Sequence, residues 1–129
     1  MIWYLNLVVV VVATCLHLWL GKRPVSAGRV VEVLLLYLLV IFVGLGGLMG
    51  FLGHTFKGQE IALKIGWQPS PFQLEVAVAD LAFGILGILC IWQRGGFWTA
   101  TGIGYSTFLL GCGYGHLKDM LNARQFCSL

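Results

Sequence analysis

Charge is what this sequence has least of. Only 10% of its 129 residues are Asp, Glu, Lys or Arg, whereas a water-soluble domain carries about 25%. With 59% hydrophobic residues and a mean hydropathy of +0.91, there is too little polar surface to enclose an apolar core in water. Lipid is the expected solvent, and the same shortage excludes a disordered chain. No basic stripe interleaved with aromatics occurs, so nucleic acid is not an expected partner. The four cysteines, Cys15, Cys90, Cys112 and Cys127, form no CxxC pair. Three of them lie inside apolar runs, where cysteine behaves as a small hydrophobe, and no disulfide framework follows. Proline is confined to Pro24, Pro69 and Pro71, all outside the apolar runs. A phosphate-binding loop, a nucleophile–base set and a closed metal spacing such as HxxxH or ExxH are all missing.

What is present is a succession of apolar runs. A hydrocarbon core of about 30 Å takes about 20 helical residues, and four segments meet that length, at about 2–20, 30–53, 72–92 and 97–115. The first lacks a basic leader and a small-residue cleavage site before Gly21, so it reads as a retained span. Trp3, Tyr4 and Trp19 sit at its ends, where aromatic belts form. The loop GKRPVSAGR follows. The stretch from His54 to Ser70 is too polar to span. Its Glu60–Lys64 and Ile61–Ile65 spacings of four predict a short interfacial helix between spans two and three. The expected fold is therefore all-α: one domain, an integral membrane four-helix bundle with that short interfacial helix. Gly46 and Gly50 on span two, Gly84 and Gly87 on span three, and Gly111 and Gly115 on span four are expected to let helix backbones approach closely.

The run GWQPSPFQLEVAVAD organises the chain. Ser70 is the expected N-cap of span three, with Pro71 at N1 and Gln73 at N3, close to a capping box. Two carboxylates then enter the apolar helix. Ionisable groups at membrane depth are costly and usually face a bundle interior. Ala77, Asp80, Gly84 and Gly87 share one helical stripe, so Asp80 is expected to point inward, about 12 Å below the helix start. Four spans bring His54, Glu75, Asp80 and His116 into one leaflet, together with Asn6. An inward acid needs a partner or a proton, and His54 and His116 are the candidates. Such a group supports structural hydrogen bonding, proton transfer or metal ligation by His54, His116 and Asp80. The other leaflet holds a second polar pair, His17 and Glu32, with Arg94 at the turn between spans three and four, read as a hairpin salt bridge or hydrogen bond. Positive charge is tied at four per side (Lys22, Arg23, Arg29 and Arg94 against Lys57, Lys64, Lys118 and Arg124). The compact first loop, which carries no acid, is placed in the cytoplasm and both termini outside.

The segments GHTFKGQEIALKIGW and SPFQLEVAVADLAFGILG, the Phe97–Trp98 pair and GYGH at 113–116 resemble an uncharacterised family of small four-helix prokaryotic membrane proteins. The resemblance covers about half of the chain and leaves out span one and the first loop. It implies a prokaryotic plasma membrane and draws attention to His54, Gly66, Trp67, Ser70, Pro71, Glu75, Asp80 and His116. In overall shape the chain is also similar to DoxX-like four-helix membrane proteins. Neither resemblance implies an activity or fixes a cofactor. The first functional expectation is a non-enzymatic accessory or structural subunit of a larger membrane complex, its partners the lipid bilayer and other membrane subunits or a second copy. The alternatives are a redox or proton-linked membrane protein using the carboxylate–histidine cluster with a quinone, haem or metal, and a small oligomeric transporter lined by Asp80 and Glu75.

Overall fold

The computed structural model describes residues 2–126, with side chains from 4 to 122. Cys127 and the side chains of Trp3 and Arg124 lie outside the described residues. The chain is all-helical there, with no strand. Helix α1 runs Ile2–Leu20. Helix α2, Ala27–Leu38, starts at Ser26, whose extended backbone and hydroxyl, accepting from Arg29 N–H at 3.3 Å, make it an N-cap. Helix α2 passes without a break into a π-helical stretch, Leu39–Leu45, and then into α3, Gly46–Lys64. Helices α4, Phe72–Leu89, and α5, Gly96–Phe126, follow.

Helix α2, the π stretch and α3 as far as the kink at Lys57 form one continuous rod. Helix α1 packs on α2 and the π stretch from one side, and α4 packs along the π stretch and α3 from the other. Helix α5 packs against α4 and the π stretch. Among the described residues two helices are long and apolar enough to cross a membrane, Ala27–Lys64 and Phe72–Leu89, and Tyr4–Leu20 is a shorter apolar helix. Much of the apolar side-chain surface faces outward: Leu5, Val8, Leu52, Val78 and Leu110 are all more than half exposed. The buried cluster of Leu39, Val43, Cys90 and Trp98 lies where the π stretch meets the α4–α5 turn. Trp98 is fixed there because its indole N–H donates to the Cys90 carbonyl at 2.9 Å.

Glycine sets the contact between rod and α4. A Cβ on Gly47 would lie 2.7 Å from Gly84 N, and one on Gly84 would lie 2.9 Å from Leu48 N. Gly87 meets the backbone of Gly44 even more closely. These are backbone-to-backbone approaches that no side chain permits. Of the expected packing glycines, Gly50, Gly84 and Gly87 lie in this seam. Gly46 does not: its neighbours are the Ile41 carbonyl and the Tyr105 hydroxyl, at 3.7 and 3.9 Å. Gly44 and Gly47 fill the seam instead. Steps of three residues turn the helix about 300°, so a line through positions 44, 47 and 50 winds around the rod as α4 follows it. Gly111 and Gly115 have open space where a Cβ would go, so they pack against nothing in this chain.

Two boundaries differ from expectation, the ends of α4 and α5. The expected short helix is present: Lys57 (φ −130°, ψ 22°) is non-helical and divides Gly46–Lys64 into two helical pieces at a kink. The next residue, Gly58, lets the first turn of α4 come close, since a Cβ there would sit 3.2 Å from Gln73 Cβ. The end of α3 is a Schellman motif: Gly66 at φ +79° turns the chain, Gly66 N–H donates to Leu63 O and Trp67 N–H to Ala62 O. Helix α4 stops at Leu89, short of position 92, and the turn closes at Gly95 with φ +63°. Helix α5 continues eleven residues past 115, to Phe126, because nothing between Gly115 and Phe126 breaks a helix. His116 therefore lies within a helix and not at its end.

Replacing Gly84 by leucine should destabilise the fold by about 1–3 kcal/mol through overpacking of the seam. The same change at Gly111 should stay within about 0.5 kcal/mol. Unfolding in mild detergent, followed by circular dichroism, measures both; equal losses at the two positions would contradict the seam.

Candidate functional site

Asp80 is positioned by the glycine seam. It continues the stripe of Ala77, Gly84 and Gly87 along α4, and the face it meets on α3 is bare backbone. A Cβ on Gly50 would come within 2.8 Å of Asp80 Cγ. The carboxylate thus occupies the slot that Gly50 leaves. His54, one turn further along α3, brings Nε2 to 4.0 Å from Asp80 Oδ2. That is ion-pair range, longer than a direct hydrogen bond. The side chains are 23% and 13% exposed, so the pair lies almost wholly inside the helix contact.

Gln73 completes the arrangement. Its Oε1 lies 2.7 Å from His54 Nδ1, and since an amide oxygen only accepts, Nδ1 carries the proton. Nε2 is then left toward Asp80. A neutral His54 offers a lone pair there, and a protonated one offers an N–H. At 4.0 Å a proton passes between imidazole and carboxyl only after a side-chain shift or through a bridging water. His54 and Gln73 also line an open recess of about 910 Å³ between the end of α3 and the Pro69–Leu74 segment. The imidazole thus lines the recess and also approaches the carboxyl. From α5, Tyr105 and Cys112 lie within electrostatic range of Asp80, although the Tyr105 hydroxyl donates to the Phe42 carbonyl, at 3.4 Å.

The other expected members stay apart. Glu75 is exposed on α4, off the Ala77–Asp80 stripe, with no ion pair or hydrogen bond among the described residues. His116 is exposed on α5 and stacks on Trp67, ring centroids 4.9 Å apart and planes 19° from parallel. Asn6 lies on α1, which does not reach α4. His54, Asp80 and His116 do not converge as a ligand set, and no group of three or more His, Cys, Asp or Glu side chains suited to a metal occurs among the described residues. Gln73 was missed as a site residue because it was assigned to the capping box. The Ser70 hydroxyl does accept from Phe72 N–H, at 3.2 Å, but the Gln73 side chain goes to His54. The signal was present: position 73 extends the 77–80–84–87 spacing back by one turn.

At the opposite end, His17 and Glu32 do not touch directly. Arg29 joins them, donating to Glu32 Oε2 and to His17 Nε2, each at 3.1 Å. Because Nε2 accepts, Nδ1–H donates to the Tyr37 hydroxyl, at 3.2 Å. Arg94 donates to the other Glu32 oxygen at 3.1 Å and lies over the Trp98 ring. The rod between this cluster and Asp80 carries buried Leu39, Ile41 and Val43.

Residues 1–128 match the model of a family described as a Family of unknown function (DUF6790). The match takes in α1 and the first loop as well as the His54–His116 run, and it does not extend to the DoxX-like proteins that overall shape suggested. No curated protein and no solved structure matches the chain.

The ¹⁵N spectrum of His54 should show the Nδ1–H form when neutral. Gln73→Leu should shift it toward the Nε2–H form, the ordinary preference of a free imidazole. Gly50→Ala, which adds a methyl group against the Asp80 carboxyl, should move the His54 ring ¹⁵N resonances, whereas Gly111→Ala should not.

Proposed function

The chain belongs to DUF6790, a family of unknown function, and we propose that it is a small polytopic integral membrane protein serving as an accessory subunit of a larger membrane assembly. The membrane reading is supported by the outward-facing apolar side chains and by two helices of spanning length. An apolar exterior this extensive is not stable in water. In this reading the end bearing the Gly21–Ser26 loop and the α4–α5 turn is cytoplasmic, both termini are outside, and the membrane is a prokaryotic plasma membrane.

The observation that carries the subunit reading is the second half of α5. From Leu109 onward most of its side chains are exposed, and its contacts within the chain include the His116–Trp67 stack and the approach of Cys112 to Asp80. Leu109, Leu110, Tyr114, Leu117, Met120 and Leu121 are exposed, and Gly111, Gly113 and Gly115 face open space. In lipid, helices associate through small residues that let backbones approach. The glycines of the α3–α4 seam serve that purpose within the chain, and those of α5 are free to serve it with another. Retention in membranes after alkaline carbonate extraction is expected. After mild-detergent solubilisation the protein should run in an assembly with stoichiometric companion subunits or further copies of itself. Gly115→Leu should release it, with its helix content unchanged. A wild-type protein that is monomeric and alone in mild detergent would overturn the subunit reading.

A second reading, a proton-linked membrane protein, is favoured by one observation: His54 lines the recess and approaches Asp80, with its tautomer set by Gln73. Here Asp80 and His54 would hold and pass one proton at the helix contact. Infrared difference spectra across a pH titration should contain a carboxyl C=O band lost in Asp80→Asn and displaced in His54→Phe. A titration spectrum unchanged by both substitutions would leave the pair as architecture.

A further inference from the structure

We infer that the arginine recess at the loop end of the helices is a binding site for a phosphate group. It goes beyond the subunit and proton readings and uses none of their residues. Three arginines from three separate segments line it: Arg23 from the first loop, Arg29 from α2 and Arg94 from the α4–α5 turn. A single carboxylate, Glu32, stands against them, so the recess keeps an excess of two positive charges. His17 lines it as well, with Nε2 3.1 Å from an Arg29 nitrogen. The recess has a volume of about 520 Å³, within the usual range for small-molecule sites.

The arginines are unequally engaged. Arg29 is held by Glu32 and His17, and Arg94 by Glu32 and the Trp98 face. Arg23 has no hydrogen bond or ion pair among the described residues, yet it lines the same recess. A guanidinium has five N–H donors, so most of this donor capacity is unspent. Donors from several segments suit a tetrahedral anion with several acceptor oxygens. Buried Val33 and half-buried Leu36 floor the recess, which strengthens each charge interaction by excluding water. Exposed Trp19 and Trp92 lie at the same end of the molecule. In a bilayer such residues mark headgroup depth, so on the membrane reading the recess lies level with lipid phosphates.

The test uses the full chain in mild detergent, with two arms: native mass spectrometry against equal amounts of dioleoyl phosphatidylglycerol and dioleoyl phosphatidylcholine, and calorimetric titration with inorganic phosphate. Preferential retention of phosphatidylglycerol assigns the site to anionic lipid. Saturable inorganic phosphate binding without lipid preference assigns it to a soluble phosphate compound, and that arm holds even if carbonate extraction removes the protein from membranes. In either case Arg23→Ala should weaken binding roughly tenfold, the worth of one charge-assisted contact. Arg94→Ala should do the same. Lys22→Ala, which removes the same charge from the adjacent position outside the recess, should change it less than about twofold. Arg23 holds no partner within the fold, so its loss should leave helix content unchanged. Equal retention of both lipids with no phosphate binding, or a loss in Lys22→Ala as large as in Arg23→Ala, would overturn the site.

Discussion

Everything in this molecule hangs on the absence of side chains along one line of contact. Gly44, Gly47 and Gly50 on the long rod meet Gly87, Gly84 and Asp80 on α4, and at two of the three levels one backbone rests directly on the other. Dispersion contacts are individually small and fall off steeply with separation. An approach this close therefore gives much contact from few atoms. In a chain whose larger apolar side chains mostly point outward, this seam replaces the thick side-chain core of a water-soluble bundle. The buried cluster around Leu39, Val43, Cys90 and Trp98 is its extension at one end.

The same line of contact determines the chemistry. At the third level a carboxylate occupies the space where a side chain of α3 would be. It is enclosed by backbone on one side and meets the His54 imidazole at the end. A carboxyl group so placed cannot be hydrated freely, and its nearest titratable neighbour sets its options. The partner of His54 on the other side is an amide, not an acid. Gln73 fixes the orientation of the ring through its hydrogen bond to Nδ1. The arginine cluster at the far end is built on the opposite logic, with excess charge and open donors near the surface.

Much of this could be read from the sequence wherever one helix face was enough. The all-helical architecture followed from the lengths of the apolar runs, and the Ala77–Asp80–Gly84–Gly87 stripe is the face that α4 presents to the rod. What could not be read was phase between helices. Gly46 and Gly50 share a regular spacing of four, but the contact uses 44, 47 and 50, because α4 winds around the rod. His116 was grouped with Asp80 by depth alone, and depth does not fix azimuth: α5 turns that residue toward Trp67. The link between His17 and Glu32 was legible as proximity, while its mediator, Arg29, belongs to a helix that starts three residues earlier than the apolar run.

The π-helical stretch Leu39–Leu45 has one more consequence. There Gly46 N–H reaches back to the Ile41 carbonyl, five residues earlier, so the rod contains one residue more than a uniform α-helix of the same length would need. Removing one residue within that stretch restores ordinary winding and leaves both flanking faces where they were. Removing one anywhere between Gly47 and His54 would turn everything beyond it by about 100° and carry His54 away from Asp80. Among natural relatives of this chain, single-residue length differences in the rod should therefore gather between 39 and 45 and be rare in the glycine segment that follows.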